Sequence, residues 1–111
     1  MAGYFHKNMA AGRWFTMSLS EQMGNVGSEV GRAVNWQKRG NIEQSNRATD
    51  RALELLDLTI SDRRWKNRLT EIIRARHLVA DLFYGANECR ETPQNLEKYF
   101  YYFALLARKE K

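Results

Sequence analysis

Apolar side chains recur along this chain at spacings of three and four residues, the period of a helix rather than of a strand. Leu19, Met23, Val26, Val30 and Ala33 lie on one helical face, which Trp36 extends. Ser18 with Glu21 three residues on makes a capping box at the start of that helix. Gly40 can take the left-handed conformation that ends it. Asn41, with Gln44 three residues on, starts a second helix whose face is Ala48, Ala52, Leu55 and Leu56, widened by Leu53 and Ile60. Ser61 or Asp62 ends it and caps the next. A third helix is predicted over residues 63–84, with a stripe of Trp65, Leu69, Ile72, Arg76, Val79 and Phe83. Ile73, Ala80 and Tyr84 broaden that stripe, and Gly85 stops it. Thr92 as N-cap and Pro93 at the first helical position open a fourth helix. Its face is Leu96, Phe100, Phe103 and Ala107, with Tyr99 and Leu106 beside them.

Four helices on short connections predict an all-α protein, an antiparallel up-down-up-down four-helix bundle. Residues 14–111 form its single domain, and residues 1–13 read as a flexible N-terminal arm. The chain's 111 residues suffice for one core. No apolar run approaches the ~18 residues of a membrane span, and the N-terminus lacks the apolar stretch of a signal peptide. No membrane partner is expected.

Gly24, Gly27 and Gly31 sit inside the first helix at spacings of three and four, beside its apolar stripe. Each costs about 1 kcal/mol of helix propensity relative to Ala. Close approach of another backbone, through dispersion over a larger contact area, can offset that. The expected role of this stripe is close packing between helices of the same chain. A subunit interface and a ligand against bare backbone are the alternatives. The spacing matches neither a phosphate-binding loop nor a dinucleotide fingerprint.

Polar residues within apolar company are the next signal. The stripe assigns Arg76 to the core, where a guanidinium needs a carboxylate partner. Glu29, Glu54 and Asp57 are the candidates. The first expectation is a buried ion-pair network of Glu29, Glu54, Asp57 and Arg76, and the alternative is a polar pocket between helices built from them. Glu54-x-x-Asp57 matches half of the metal motif of MazG-like nucleotide pyrophosphatases. With Glu29 as the one carboxylate available from the first helix, a degenerate Mg-binding hydrolase is the alternative function. His77 does not complete the Arg-to-His motif of HEPN-type RNases, and no Glu-x-x-His occurs for a di-iron site. No catalytic residue, metal ligand or cofactor is assigned. His6, within the arm, receives no role.

Charge adds a second candidate surface. The formal net charge is +5 and the pI about 9.6. Arg64, Lys66 and Arg68 are expected on outer faces of the third helix, a stripe able to contact nucleic acid through phosphates in a salt-sensitive way. Tyr99, Phe100, Tyr101, Tyr102 and Phe103 are consecutive, so they surround more than half of the fourth helix. Tyr101 or Tyr102 must then point away from the core, which favours a protein–protein contact and a homo-oligomer. Cys89 is the only cysteine, which fits a reduced, cytoplasmic setting.

The segments "SLSEQMGNVGSEVGRAVNW", "RALELLDLTI" and "NECRETPQNLEKYFYYFALLAR" resemble an uncharacterised family of short prokaryotic helical proteins with the same order of elements. The resemblance spans residues 14–108. It implies the helical fold and no activity, cofactor or partner. In architecture alone the chain is also similar to basic four-helix proteins of the retroelement-accessory type, which form rings and contact RNA. The expected function is a non-enzymatic binding or scaffolding module that self-associates, with a basic face available to nucleic acid.

Overall fold

The computed structural model describes residues 12–110. Four long helices pack together: α1 (Leu19–Lys38), α2 (Ile42–Ile60), α3 (Leu69–Phe83) and α4 (Pro93–Lys109). Short 3-10 segments, Arg13–Thr16 and Arg63–Arg68, precede α1 and α3. There is no strand among the described residues, and no helix among them is long and apolar enough to cross a membrane. The expected N-terminal arm falls almost wholly on residues 1–11, outside the described residues, while Arg13 already belongs to the first 3-10 turn.

Local chemistry sets the helix ends. The Ser18 hydroxyl accepts the Glu21 backbone N–H, and the Glu21 carboxylate accepts that of Ser18, a reciprocal capping box. Asn41 caps α2 on Gln44, and Thr92 caps α4 on Asn95 with Pro93 following. Gly40 turns the chain between α1 and α2 at φ +77, a conformation costly for any residue with a Cβ.

The core lies between α1 and its neighbours. α1 packs against both α2 and α4, and α2 also carries α3, whereas α3 and α4 share little contact. Leu19, Met23, Val26, Val30 and Ala33 are all buried. Leu19, Met23, Val26 and Val30 share one core cluster with Ala52, Leu55 and Leu56 of α2 and Leu96, Phe100 and Phe103 of α4, and Ala48 of α2 is buried as well. Trp14 reaches in from the N-terminal 3-10 turn, is fully buried, and donates its indole N–H to the Thr59 hydroxyl at 3.0 Å.

The third helix departs from the expected span. Residues 63–68 form a 3-10 segment that is interrupted at Trp65 (φ −101, ψ 20), and α3 begins at Leu69. The Asp62 carboxylate accepts the Arg64 N–H, which tightens the segment, and the Trp65 indole is thereby carried to Gln22. Trp65 is thereby detached from the helical stripe, whose buried face is also narrower than expected. Ile72, Ala75 and Val79 are buried, and Ala75 takes the core position that the spacing had given to Arg76.

The connection from α3 to α4 is organised by Asp81, which is only 9% exposed. Its carboxylate accepts the backbone N–H groups of Cys89 at 3.0 Å and Glu88 at 3.1 Å. The N–H of Cys89 foremost, then that of Glu88, holds the Asp81 carboxyl below its ordinary 3.8, against the opposing effect of burial. A depressed carboxylate stabilises the fold above its unfolded pKa and ceases to do so as pH falls through its folded value. Amide NMR shifts of Glu88 and Cys89 are therefore expected to titrate together below pH 3.8. Titration of both at or above that value would contradict the assignment.

Candidate functional site

The groove between α1 and α4 is built from absent side chains. A Cβ placed on Gly27 would stand 2.6 Å from the Phe100 Cβ. On Gly24 it would stand 3.3 Å from the Ala104 Cα, and on Gly31 3.7 Å from Glu97 Oε2. The glycine stripe thus faces α4, tightest at its centre. Beside this contact the two helices leave a cleft of about 340 Å³ floored by Gly24, Gly27 and Ala104 and walled by Phe100 and Tyr101. A second hollow of about 260 Å³ continues it past Ser28 toward Met17 and Arg108. Glu97 and Lys98 stand at one end of this surface, Glu21 and Arg108 at the other.

The aromatic run of α4 divides as a helix of 3.6 residues per turn requires. Phe100 and Phe103 are buried, Tyr99 is half-buried, and Tyr101 and Tyr102 are 55% and 59% exposed. The two exposed tyrosines do not form one patch. Tyr101 lines the α1/α4 cleft, and Tyr102 lines a different one, bounded by Trp65, Phe103 and the start of α1.

The expected polar cluster is not a single buried network. Arg76 is displaced from the core, with its side chain 37% exposed. It forks onto Asp57, itself 57% exposed, with Nε donating to Oδ1 at 2.6 Å and Nη2 to Oδ2 at 3.3 Å. Glu29 is buried and accepts from Arg51 Nε at 3.1 Å, with Arg32 also at 3.1 Å. Glu54 is half-buried on α2. The guanidinium that was to unite these carboxylates therefore serves Asp57, while Glu29 is served by arginines of α1 and α2. The buried face of α3 is centred toward Ala75, which leaves Arg76, one residue on, at its rim. Among the described residues, no group of three or more His, Cys, Asp or Glu side chains could hold a metal ion.

The basic stripe is also largely engaged. Arg64 is exposed, as expected, but engaged: it bonds the Asp62 carboxylate through Nε and Nη2, donates to the Met17 carbonyl at 2.7 Å, and lies 4.4 Å above the Trp65 ring. Arg68 pairs with Glu71 at 2.7 Å. Lys66 remains exposed, as do His77 and Cys89. Against Arg64, and chiefly through its hydrogen bonds, the Asp62 carboxyl lies below its usual range although burial opposes this.

Gln22 is the organising residue that the sequence reading missed. It is fully buried. Its amide N–H groups donate to the Trp14 carbonyl at 2.9 Å and to Asp62 at 3.0 Å, while its oxygen accepts the Trp65 indole N–H at 2.8 Å. The signal was available, because Gln22 falls three residues after Leu19 and four before Val26 on the core-facing spacing.

Comparison with family models, characterised proteins and solved structures finds no match to this chain.

Proposed function

We propose that this protein is a non-enzymatic helical binding or scaffolding module that self-associates, with the α1/α4 groove as the contact between copies. The observation that carries this reading is the bare backbone of Gly24 and Gly27 beside Tyr101, a large ring left 55% exposed at the edge of an apolar cleft. Tyrosine is enriched where proteins meet, since its apolar body and polar tip suit a surface buried on association. The charges at the groove's ends favour a second copy as the occupant. Two carboxylates (Glu21, Glu97) and two cations (Lys98, Arg108) balance, so a two-fold related copy can present opposite charge to each.

The antiparallel up-down-up-down course belongs to the same proposal. It is supported by pairs whose numbers run in opposite senses: Gly24, Gly27 and Gly31 with Ala104, Phe100 and Glu97. Asp50 with Tyr84 and Asp57 with Arg76 do the same for α2 and α3. Membership of the prokaryotic family that the sequence resembles, and a reducing cytoplasmic setting, complete the reading.

Nucleic-acid contact has weaker support, because Arg64 and Arg68 are both engaged by carboxylates, and of the three only Lys66 forms no ion pair among the described residues. The hydrolase reading has less, since Glu29 and Asp57 are each bonded to arginine.

Sedimentation velocity tests the module. The intact chain should sediment as a dimer or larger species. Tyr101→Glu should shift it to monomer without loss of helical circular dichroism, because that side chain touches the cleft and not the core. A wild-type protein that stays monomeric at high concentration would end this proposal.

A further inference from the structure

A second cleft, of about 590 Å³, opens where α3 and α4 fail to close on each other. Its walls are aromatic: Trp65, Tyr99, Tyr102 and Phe103. The Phe103 ring stands edge-on to Tyr99 at 5.4 Å between centroids and to Tyr102 at 5.9 Å. Two polar groups sit at its margins, and they differ in charge balance. Arg68 is paired with Glu71 at 2.7 Å, and the Tyr99 hydroxyl donates to the other Glu71 oxygen at 3.0 Å. That cation is already neutralised. Opposite it, Glu110 accepts the Ser18 hydroxyl on one oxygen at 3.0 Å and the Ser20 hydroxyl on the other at 3.2 Å. Hydroxyls fix the carboxylate's position but leave its charge in place. The lining therefore carries one cation against two carboxylates, within a chain whose net charge is +5.

A carboxylate beside a lining of aromatic rings selects a cation that tolerates loss of water, because a ring face turned to it is also negative; Trp65 already carries Arg64 over its ring at 4.4 Å, which leaves Tyr102 for the ligand. A metal ion would need more oxygen ligands than Glu110 supplies, and the aromatic walls instead suit a cation with an apolar shell. We propose that this cleft binds a small organic ammonium ion, its charged head between Glu110 and the Tyr102 ring and its apolar body against Phe103 and Leu106. The site lies outside the α1/α4 groove and does not depend on self-association.

Isothermal titration of the intact chain with choline tests this, with 3,3-dimethylbutan-1-ol as the neutral isostere and inorganic phosphate as the anionic competitor. Choline should bind, and the isostere should bind at least about tenfold more weakly, since the two differ only by the charge. Glu110→Gln and Tyr102→Ala should each weaken choline by about tenfold. Both residues are exposed, and unchanged melting of the variants would show that the loss is local. Tyr101→Glu, outside this cleft, should leave choline affinity as it was. Absence of choline binding, equal affinity for the isostere, phosphate taking the site, or Glu110→Gln binding as wild type does would each overturn the assignment.

Discussion

Gly27→Ala should unfold at a lower temperature than the parent protein, by roughly 10 °C, and Gly31→Ala at a slightly higher one. The two substitutions add the same methyl group to the same face of the same helix. In the helix alone each gains about 1 kcal/mol of propensity. Their surroundings differ. At Gly27 the new carbon would lie 2.6 Å from the Phe100 Cβ, an atom fixed to the α4 backbone. Phe100 is fully buried and cannot swing aside, so α1 and α4 must separate. Overpacking of this kind costs about 1–3 kcal/mol, and a clash this deep belongs at the upper end. The net loss is about 2 kcal/mol, and each kcal/mol lowers the melting temperature of a domain this small by roughly 4–8 °C. At Gly31 the nearest atom is the end of a flexible carboxylate side chain at 3.7 Å, an ordinary contact, so the propensity gain survives. Gly24→Ala, at 3.3 Å from the Ala104 backbone, should fall between them. Thermal melts of the three variants, followed by circular dichroism, decide the matter. Equal shifts at all three positions would mean that the stripe is not gripped by α4.

That gradient also marks what could be read from the chain and what could not. The caps at Ser18, Asn41 and Thr92 were legible because their chemistry is complete within four residues. The glycine stripe was legible as a face, since spacing alone puts three small residues on one side. Which of the three is gripped most tightly depends on where Phe100 lands, and no local pattern carries that. Arg76 was misplaced for a related reason. Ala75 and Arg76 both flank the Ile72–Val79 line, and spacing alone does not say which of the two the neighbouring helix covers; α2 covers the Ala75 side, and the guanidinium stays at the rim with Asp57. Consecutive aromatics require Tyr101 or Tyr102 to point away from the core, and in the structure both are exposed. That Tyr101 and Tyr102 serve separate clefts follows from the placement of α1 and of residues 63–68 on either side of α4.

Replacing Gln22 is the other change expected to cost most, and Gln22→Leu isolates the reason. Leucine is close to glutamine in volume, so little cavity forms and the apolar contacts survive. What disappears is a set of three hydrogen bonds in a position with no access to water. Asp62 retains Arg64, so its charge stays compensated. The Trp65 indole N–H loses its partner, and the Trp14 carbonyl keeps only the Met17 backbone N–H at 3.2 Å. Each polar group left unsatisfied in a buried setting costs about 1–3 kcal/mol, and the half-buried Trp65 recovers part of that from solvent. A loss of about 2 kcal/mol is expected from chemical denaturation. Gln22→Glu adds a sign test. An introduced carboxyl here is desolvated and faces Asp62, so its folded pKa rises above the unfolded value of about 4.3. Stability relative to the parent should therefore be highest below that pH and fall as pH rises through the elevated folded pKa. If Gln22→Leu melts with the parent, or if the Glu variant loses nothing between pH 4 and 7, the amide is not what ties Trp14, Asp62 and Trp65 together. The N-terminal turn must then be held by the burial of Trp14, its bond to Thr59 and the Arg64 bond to Met17.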